Sequence, residues 1–549
     1  MNFKVLESQR KLTGSYYTPQ TIASFISKWI MESSPKKILE PSCGDGVFFS
    51  EINNIARTQK SRDVSIHGVD LDQDVIQDLK LRKKKNEFES VALNLVHSDF
   101  LEYSIEQTSK NTRFDAVIGN PPFIRYQYLE AEHQRLTEKI FFESNLTFTK
   151  HTNAWVPFVI QSIKLLNAGG RLAMVIPTEL MHVLHANSLR KYLIDTCQKI
   201  AVVHVEDLFS SEVLQGVVLL MCEKKSLSFK GKSQIAFPTA SRFDLHNGHV
   251  YEFLQTINYK TSENLDYKWT EGLLTPEEKA VYKKAKDCKN TKLFFDIAEV
   301  DVGIVTGAND FFLVSDHVVK KYALQKYSKP MFGRSSHVKG VIFSQKDMDE
   351  NRQQGLPVNF LEFPQINKSL FSKKVQDYIS FGESQELHGR YKCRIRSPWY
   401  VVPSIWASGV SMLKRAHDLP RLIHNEANSY TTDTAYRIRT KSGIKEDRLV
   451  WCFVNSLTAL SNELEGRHYG GGVIELVPSE IERLVVPYVD MPKNALKKLD
   501  KLYRLKKSAG EILKEQDEII LKNLGLNDKE INILHSAWVR LRNRRQRKD

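Results

Sequence analysis

The sequence has few cysteines, and no two of them lie close together. They are Cys43, Cys197, Cys222, Cys288, Cys393 and Cys452. Structural zinc sites and disulfide scaffolds depend on closely and regularly spaced cysteines, usually beginning with a C-x-x-C pair. The sequence therefore predicts neither a metal site nor a disulfide framework, and it favours a reducing compartment.

Long apolar runs are also missing. No run approaches the roughly 20 residues that cross a bilayer. The first eleven residues are polar and charged, unlike a secretory signal peptide. We therefore expect a cytoplasmic protein without a membrane partner.

Acidic residues are too few to balance the basic ones. There are 79 Lys and Arg residues against 65 Asp and Glu residues, which gives a net charge of +14. Such an excess favours a polyanionic partner, most often a nucleic acid. A chain of 549 residues also exceeds the usual size of a single core, so two or more domains are expected.

Short apolar runs and amphipathic helices alternate through the first half of the chain. This alternation predicts a doubly wound α/β fold with a mostly parallel, seven-stranded sheet. The last two strands are joined by a short loop, so we expect the seventh to insert antiparallel. The predicted strands lie near residues 37–40, 64–72, 94–100, 114–119, 171–177, 200–205 and 217–222.

A Gly-rich loop, Pro41-Ser-Cys-Gly-Asp-Gly46, joins the first of these strands to a helix. The loop contains neither the dinucleotide motif G-x-G-x-x-G nor the G-K-[ST] of a P-loop. Glu40 at the strand end and Asp45 in the loop would repel a phosphate group and attract a cationic ligand. S-adenosylmethionine, a sulfonium compound that is also an amino acid, is the natural candidate.

Acidic residues also end the next two strands. Asp70 lies at the end of the second strand, where a carboxylate is placed to accept hydrogen bonds from ribose hydroxyls. Asp99 and Phe100 lie at the tip of the third strand, and we expect them to bond to and stack on the adenine of the same cofactor.

The fourth strand ends in Asn120-Pro-Pro-Phe123. The carboxamide oxygen of Asn120 and the carbonyl of Pro121, in a backbone stiffened by two prolines, are suited to accept both hydrogens of a planar amino group. Phe123 supplies a flat apolar face for the ring that bears this group. The alternative is a simple strand-terminating turn.

The order of these motifs resembles that of the gamma class of amino-group DNA methyltransferases, the adenine-N6 enzymes of the TaqI-methyltransferase type. The resemblance covers about the first 220 residues. Its motifs are Tyr17-Thr-Pro19, Glu40-Pro-Ser-Cys-Gly-Asp-Gly46, Gly68-Val-Asp70, Ser98-Asp-Phe100, Asn120-Pro-Pro-Phe123, Gly169-Gly-Arg-Leu-Ala-Met-Val-Ile-Pro177 and Glu206-Asp-Leu-Phe209.

This resemblance implies a class I methyltransferase fold that uses S-adenosyl-L-methionine. The implied catalytic residues are Asn120, Pro121, Pro122 and Phe123. Phe123 and Phe209 would stack on the two faces of a base flipped out of duplex DNA. The implied cofactor-binding residues are Thr18, Glu40, Pro41, Cys43, Gly44, Asp70, Leu71, Asp99, Phe100, Asn120 and Phe158.

Three of these residues also have simpler structural interpretations. Thr18 is well placed to cap the following helix. Phe158 fits the core-facing stripe of another helix. Phe209 lies in a loop before a strand and suits a lid residue.

The second half of the chain is rich in cations and aromatic residues. We expect a catalytic domain over residues 1–245, a connection over 246–288, and a separate α+β target-recognition domain over 289–549 with a basic tail. Arginines interleaved with glycines and aromatic residues suit phosphate contacts and base readout, although an ordinary basic surface is the alternative. The predicted DNA-binding residues are Arg334, Arg394, Arg396, Arg467, Gly470 and Gly471.

Two features of this half have open interpretations. The glycine run at 470–472 either allows DNA to approach the backbone or forms a hairpin turn. The cluster Arg540, Arg542, Arg544, Arg545, Arg547 and Lys548 is typical either of a mobile phosphate-binding arm or of a solvated tail.

The resemblance implies a sequence-specific DNA adenine-N6 methyltransferase from a restriction–modification system. No nuclease constellation is evident, so we expect any cleavage to belong to a separately encoded restriction endonuclease. The sequence has no Pro-Cys pair, which argues against methylation of cytosine C5. RNA adenine, DNA cytosine N4, a protein glutamine, or a silent DNA-binding subunit stay open as alternatives.

Overall fold

Parallel strands and helices alternate along the first of two units, Met1–Leu273 and Leu274–Asp549. The computed structural model describes residues 18–60, 63–150, 152–183, 186–205, 216–241, 250–261 and 268–546. None of the helices in these ranges combines the length and apolar character that a membrane crossing requires.

Nine α-helices and ten strands lie in the described part of the first unit. The helices are α1 (Gln20–Met31), α2 (Val47–Gln59), α3 (Gln73–Lys84), α4 (Phe100–Ser109), α5 (Ala131–Glu143), α6 (Trp155–Leu165), α7 (Glu179–His182), α8 (Asn187–Thr196) and α9 (Val250–Thr256). The strands are β1 (Lys37–Glu40), β2 (Ser65–Asp70), β3 (Ala92–His97), β4 (Phe114–Gly119), β5 (Leu166–Pro177), β6 (Cys197–Val205), β7 (Val217–Lys224), β8 (Gln234–Ala236), β9 (Thr239–Ala240) and β10 (Lys260–Thr261).

The ten strands form one sheet in the order β10-β8-β6-β7-β5-β4-β1-β2-β3, with β9 paired to β6. Strand β1 is parallel to both β2 and β4, whereas β7 is antiparallel to both β5 and β6. The predicted doubly wound, mostly parallel sheet with an antiparallel seventh strand is confirmed. Strands β8, β9 and β10 extend the predicted seven, and at two or three residues each they are too short to leave a periodic signal.

The sheet is buried on both faces because successive residues of a strand point to opposite sides. Ile38 of β1 packs into the core cluster that contains α1 and α2, and neighbouring Leu39 packs into the cluster that contains α4 and α6. Both side chains are fully buried. This two-sided burial holds β1 at the centre of the sheet, between β2 and β4.

The strand order reverses at β4-β1-β2, because chain order runs outward from β1 in both directions. In open α/β sheets, such a switch point leaves a crevice outside the carboxyl ends of the strands. Glu40, Asp70 and Asn120 lie at or directly after these ends. The fold therefore brings together three of the predicted site residues.

The second unit is α+β, with helices and small sheets. Its helices are α10 (Pro276–Lys286), α11 (Phe294–Ile297), α12 (Asn309–Phe312), α13 (Asp316–Lys321), α14 (Gln345–Gln353), α15 (Lys373–Ser384), α16 (Tyr391–Arg394), α17 (Glu446–Cys452), α18 (Ser456–Glu465), α19 (Pro478–Ile481), α20 (Ala495–Arg504), α21 (Ala509–Ile520) and α22 (Asp528–Gln546).

Its strands form four sheets in the described residues. The strands are β11 (Thr291–Leu293), β12 (Ala298–Val302), β13 (Leu313–Val314), β14 (Ser328–Phe332), β15 (Ile342–Phe343), β16 (Asn359–Leu361), β17 (Val410–Leu413), β18 (Arg415–Ala416), β19 (Leu422–Asn425), β20 (Tyr430–Thr431), β21 (Ala435–Thr440), β22 (Arg467–Tyr469), β23 (Val473–Glu475) and β24 (Val485–Pro487). They pair in the orders β12-β21-β17-β19-β15, β13-β16-β14-β20, β18-β23-β22 and β11-β24. The predicted α+β fold class of the C-terminal domain is confirmed.

The arginine-rich C-terminus is a helix, not a mobile arm, over residues 540–546. Arg545 is 7% exposed, and its guanidinium pairs with the buried Glu463 at 2.7 Å. Arg540 pairs with Glu278, and Arg542 stacks on Trp538. The prediction of a mobile arm was wrong there because Arg540 and Arg545 pair with carboxylates that are far away in sequence. Residues 547–549 lie outside the described residues.

A buried carboxyl group joins three helices of the second unit. Asp517 on α21 accepts hydrogen bonds from the Ser456 backbone N–H at 2.7 Å and the Ser456 hydroxyl at 2.5 Å, at the start of α18. The same hydroxyl lies 3.0 Å from Nδ1 of His535 on α22. Burial raises the pKa of Asp517 to about 7, against the lowering effect of the Ser456 hydrogen bonds.

We predict that Asp517 makes the stability of the protein depend on pH. The pKa is higher in the folded state, so the stabilisation is complete below the unfolded pKa near 4 and is lost as the pH rises to about 7. Asp517→Asn keeps a neutral group that can bond to Ser456, so its free energy of unfolding should exceed wild type by about 1–4 kcal/mol above pH 7 and by little at pH 4.

Urea denaturation followed by tryptophan fluorescence at pH 4, 5.5 and 7.5 measures this difference. Glu515→Gln makes the same carboxyl-to-amide change at an exposed position of α21 and should leave the pH profile as in wild type. An equal effect of the two variants at every pH would contradict the assignment to Asp517.

Candidate active site

The end of β4 lies directly against the Gly-rich loop. A Cβ atom on Gly119 would lie 3.1 Å from the Pro41 ring, a tighter contact than most, so the absence of a side chain lets the two segments pack closely. The Ser42 hydroxyl donates to the main-chain carbonyl of Asn120 at 3.0 Å. These contacts fix the Asn120 backbone relative to the loop.

The Asn120 carboxamide is oriented by Thr18. Its amide nitrogen donates to the Thr18 hydroxyl oxygen at 3.2 Å, which leaves the carboxamide oxygen as the acceptor on the other side. Thr18 is buried, and the residue that caps α1 is Pro19, without a side-chain hydrogen bond. The helix-cap interpretation of Thr18 was therefore wrong, because its side chain bonds to Asn120.

Asp70 supports the loop from the end of β2. One carboxylate oxygen accepts from the Gly44 N–H and the other from the Asp72 N–H, both at 2.9 Å. Gly44 and Gly46 have φ angles of +47° and +73°, which favour glycine. Each Asp70 oxygen keeps a lone pair for a further donor.

Glu40 is the least satisfied group of the site. Its carboxyl is 1% exposed, and its Oε2 atom has no hydrogen-bond partner among the described residues. Burial, and then the nearby Asp45 and Asp70, raise the pKa of Glu40 well above its usual range. A buried polar atom without a partner is costly and marks a position for a ligand group. A cationic, hydroxyl-bearing ligand fits this position.

Cys43 lies in the same loop but is not placed for nucleophilic chemistry. Its side chain is 2% exposed, and burial raises the pKa of the thiol further above its usual range, with Glu40 and Asp70 adding to the effect. The nucleophile in cysteine chemistry is the thiolate. The site therefore supplies acceptors and carboxylates rather than a covalent catalyst.

Comparisons with known proteins agree with this chemistry. Residues 4–271 match the family model described as N-6 DNA Methylase, and residues 266–521 match the C-terminal domain model of the type II methyltransferase M.Eco57I. The type II methyltransferase M.AccI of Acinetobacter calcoaceticus is 26% identical over 493 residues, which cover 86% of this chain and 85% of that protein.

A second relative and one solved structure extend the likeness. The type II methyltransferase M.XamI of Xanthomonas campestris pv. amaranthicola is 22% identical over 514 residues, covering 89% of this chain and 88% of that protein. Over residues 4–271, the first unit of the chain is thus similar to the N-6 DNA methylase family. The protein is a sequence-specific DNA N6-methyltransferase of the restriction–modification type. The type IIL restriction–modification enzyme MmeI in complex with DNA shares its fold, with a TM-score of 0.56 at 12% identity over 98% of this chain and 80% of that one.

Asp99 of the methyltransferase has two structural partners at the end of β3. One carboxylate oxygen accepts from the Glu102 N–H at 3.0 Å and caps α4, and the other lies 2.5 Å from Nε2 of His133 on α5. His133 escaped the sequence analysis, because it lies 34 residues further along the chain in a charged helix without a motif.

The two phenylalanines predicted to face the cofactor lie in the core. Phe100 is 2% exposed and Phe158 is 8% exposed, with ring centroids 4.8 Å apart. Leu71, by contrast, is 60% exposed beside Asp70. The structure thus accounts for Phe158 by packing alone, and its cofactor contact stays a prediction.

Of the two rings predicted to stack on the target base, one is described. Phe123 is half-buried and packs at the edge of both core clusters of the sheet. Phe209 lies in residues 206–215, outside the described residues.

The predicted DNA-binding arginines of the second unit divide into two groups. Arg396 donates to the carbonyls of Val305 and Thr306, both at 2.7 Å. Arg467 pairs at 3.0 Å with Glu480, a fully buried residue. These internal contacts explain both guanidinium groups without DNA.

The remaining members of that set face outward. Arg334 and Arg394 are exposed. Gly471 has φ +73° and open space around its Cα, and it lies with Gly470 in the turn between β22 and β23. The turn favours the hairpin interpretation and leaves room for a close approach to Gly471.

We predict that Thr18 acts on catalysis through Asn120. Thr18→Val removes the acceptor for the amide nitrogen but keeps the shape of the side chain, so the carboxamide loses its fixed orientation. We expect kcat for methyl transfer to fall about tenfold or more, as when a positioned reacting group is misplaced, with a smaller change in the KM for DNA.

Single-turnover transfer of a radiolabelled methyl group measures this effect. Thr18→Ser is the matched control, since it retains the hydroxyl oxygen and should stay near wild type. Equal activity of the Val and Ser variants would show that the hydrogen bond to Asn120 is not used.

Proposed function

We propose that the methyltransferase binds the exocyclic N6 of an adenine, extruded from duplex DNA, between the carboxamide oxygen of Asn120 and the carbonyl oxygen of Pro121. The observation that supports this most is the hydrogen bond that turns the Asn120 amide nitrogen toward Thr18. Among the described residues, none donates a hydrogen bond to the Pro121 carbonyl. In this proposal the Asn120 carboxamide oxygen and the Pro121 carbonyl oxygen each accept one hydrogen of the adenine amino group.

S-adenosylmethionine, when bound, supplies an electrophilic methyl group on a sulfonium. The residues that would hold it are Glu40 and Asp70, whose carboxylates have acceptor capacity left for ammonium and hydroxyl donors. Gly44 permits close approach, because a Cβ there would meet no atom within 4 Å. The open backbone and acidic surroundings suit a cation and repel phosphate.

Asn120 and Pro121 change the reactivity of the amino group. Accepting both N–H hydrogens draws the nitrogen toward tetrahedral geometry and frees its lone pair from conjugation with the ring. Fixing that lone pair in line with an electrophile removes much of the barrier, because the approach of the two reactants is already arranged. Cys43 takes no part, as its thiol is buried and protonated.

Phe123 compensates for part of the cost of base extrusion. Removing a base from the duplex costs a few kcal/mol in stacking and pairing. Stacking on an aromatic side chain returns about 1–3 kcal/mol per base. In this proposal, Phe123 covers one face of the adenine, and Phe209, outside the described residues, covers the other.

We further propose that the second unit recognises the target sequence and that methylation protects it from a separately encoded endonuclease in the cytoplasm. The match of residues 266–521 to a type II methyltransferase C-terminal domain supports this role. RNA adenine, cytosine N4 and protein glutamine are less favoured, because the relatives are named as type II methyltransferases.

The decisive test is methylation-sensitive sequencing of plasmid DNA from cells that express the protein. We expect N6-methyladenine at one uniform sequence motif. Asn120→Ala should lower methyl transfer by about 100-fold or more, as with loss of a group that stabilises the transition state, and the purified variant should still bind the target duplex.

Asn54→Ala, at an exposed position of α2, is the matched control and should leave methylation intact. Full methylation by the Asn120 variant, or methylation of cytosine instead of adenine, would refute the proposed mechanism.

We also predict that cofactor binding releases a proton from Glu40. Its raised pKa keeps the free carboxyl partly protonated, and a cationic ligand favours the ionised form. Affinity for S-adenosylmethionine should therefore increase with pH until Glu40 ionises without ligand. Glu40→Gln should abolish this release and weaken binding by about 10- to 100-fold, the range for a charged hydrogen bond.

Titration calorimetry at one pH in phosphate and in Tris buffer measures the proton release, because the two buffers differ in ionisation enthalpy. Glu89→Gln, an exposed carboxyl in the first unit, should behave as wild type. If wild type shows the same enthalpy in both buffers, Glu40 does not ionise on binding.

A further inference from the structure

The chain segment that contains the short helix α16 concentrates cations and has no acids of its own. Residues 387–400 include Arg390, Lys392, Arg394 and Arg396 and contain no Asp or Glu. Within the described residues, Arg390, Lys392 and Arg394 form no ion pair with a carboxylate, and all three are exposed. Their charges are therefore available to an external anion.

The inner side of this segment is firmly attached to the loop at residues 303–308. Cys393 is fully buried, and Arg396 donates to two carbonyls of that loop. Gly307 has φ +80°, and a Cβ there would lie 2.7 Å from the Lys392 Cβ, so only glycine allows this close packing. The outer side chains are thus presented on a fixed backbone, which lowers the entropy lost on binding.

Two large apolar side chains lie on the outer side. Tyr391 is 63% exposed and Ile395 is 62% exposed, and their i, i+4 spacing places them on one face. The Lys392 ammonium and the Arg394 guanidinium lie 5.5 and 5.6 Å from the centre of the Tyr391 ring. We call residues 390–395 the Tyr391 surface: an apolar pair bordered by cations that have no carboxylate partner among the described residues.

We propose that the Tyr391 surface docks on duplex DNA, with the cations on phosphates and Tyr391 and Ile395 against the sugars and base edges of a groove. Phosphates need cations without competing acids, and apolar side chains that enter a groove are used to contact or unstack base steps. This inference rests on the proposed function for its partner. In this proposal Arg396 anchors the segment to the protein, and Tyr391 and Ile395 add apolar contacts to DNA.

Two variants separate the electrostatic from the apolar contribution. The charge variant is Arg390→Gln with Lys392→Gln and Arg394→Gln. The apolar variant is Tyr391→Ser with Ile395→Ser. The matched control is Lys80→Gln with Lys84→Gln and Lys85→Gln, three exposed cations on α3 and directly after it in the first unit.

Fluorescence anisotropy measures the Kd of the full-length protein for a duplex that contains the sequence motif it methylates, at 50 to 250 mM salt. The charge variant should reduce the slope of log Kd against log salt by about 2 to 3, nearly one for each phosphate that is no longer neutralised. The apolar variant should keep the slope and raise Kd about tenfold. The control should match wild type in both quantities.

An assay of methyl transfer by the wild-type protein distinguishes a failure of this proposal from a failure of the proposed function. If wild type does not methylate DNA, the proposed function fails first. If wild type methylates DNA and both variants show the Kd and slope of the control, the Tyr391 surface does not dock on DNA. Tighter binding to an RNA duplex of the same sequence would also overturn the proposal. Thermal unfolding at the wild-type Tm confirms that each variant is folded.

Discussion

The buried, unsatisfied carboxyl of Glu40 is the constraint around which the first unit is built. Burying an ionisable group without a hydrogen-bond partner costs several kcal/mol unless it stays protonated or finds a ligand. Strand β1 keeps Glu40 at that position because both of its faces are packed between helices. The cost is therefore imposed by the sheet, and a cationic ligand removes it.

The groups near Glu40 hold the Gly-rich loop and the Asn120 carboxamide in fixed positions. Asp70 fixes the loop through Gly44, and Ser42 ties the same loop to the Asn120 carbonyl, so a ligand held by the acids lies on the same scaffold as the carboxamide. Thr18 then orients the carboxamide from a third segment. These hydrogen bonds together preorganise the site, which matters more for transfer chemistry than any single bond.

Local patterns predicted what depends on local sequence. The sequence predicted the strands and helices with clear periodicity and the antiparallel seventh strand. It also predicted that Glu40, Asp70 and Asn120 lie close together, because the carboxyl ends of neighbouring parallel strands meet at one edge of the sheet. The Asp99–His133 contact and the Thr18–Asn120 bond could not be predicted, since they join residues 34 and 102 positions apart. Strands of two residues, such as β9 and β10, leave no periodic signal at all.

In the second unit, the number of cations alone did not predict which of them are available to bind DNA. A count of cations cannot distinguish arginines that serve the fold from those that serve a ligand, and the arginine's planar, multiple donors suit both uses. Arg545 pairs with buried Glu463, and Arg467 pairs with buried Glu480, so each guanidinium offsets the charge of a buried carboxylate. Arg390, Lys392 and Arg394, by contrast, form no ion pair with a carboxylate among the described residues. The sign and size of the net charge thus indicate a polyanion, while only the internal pairing shows which part of the surface is free to meet it.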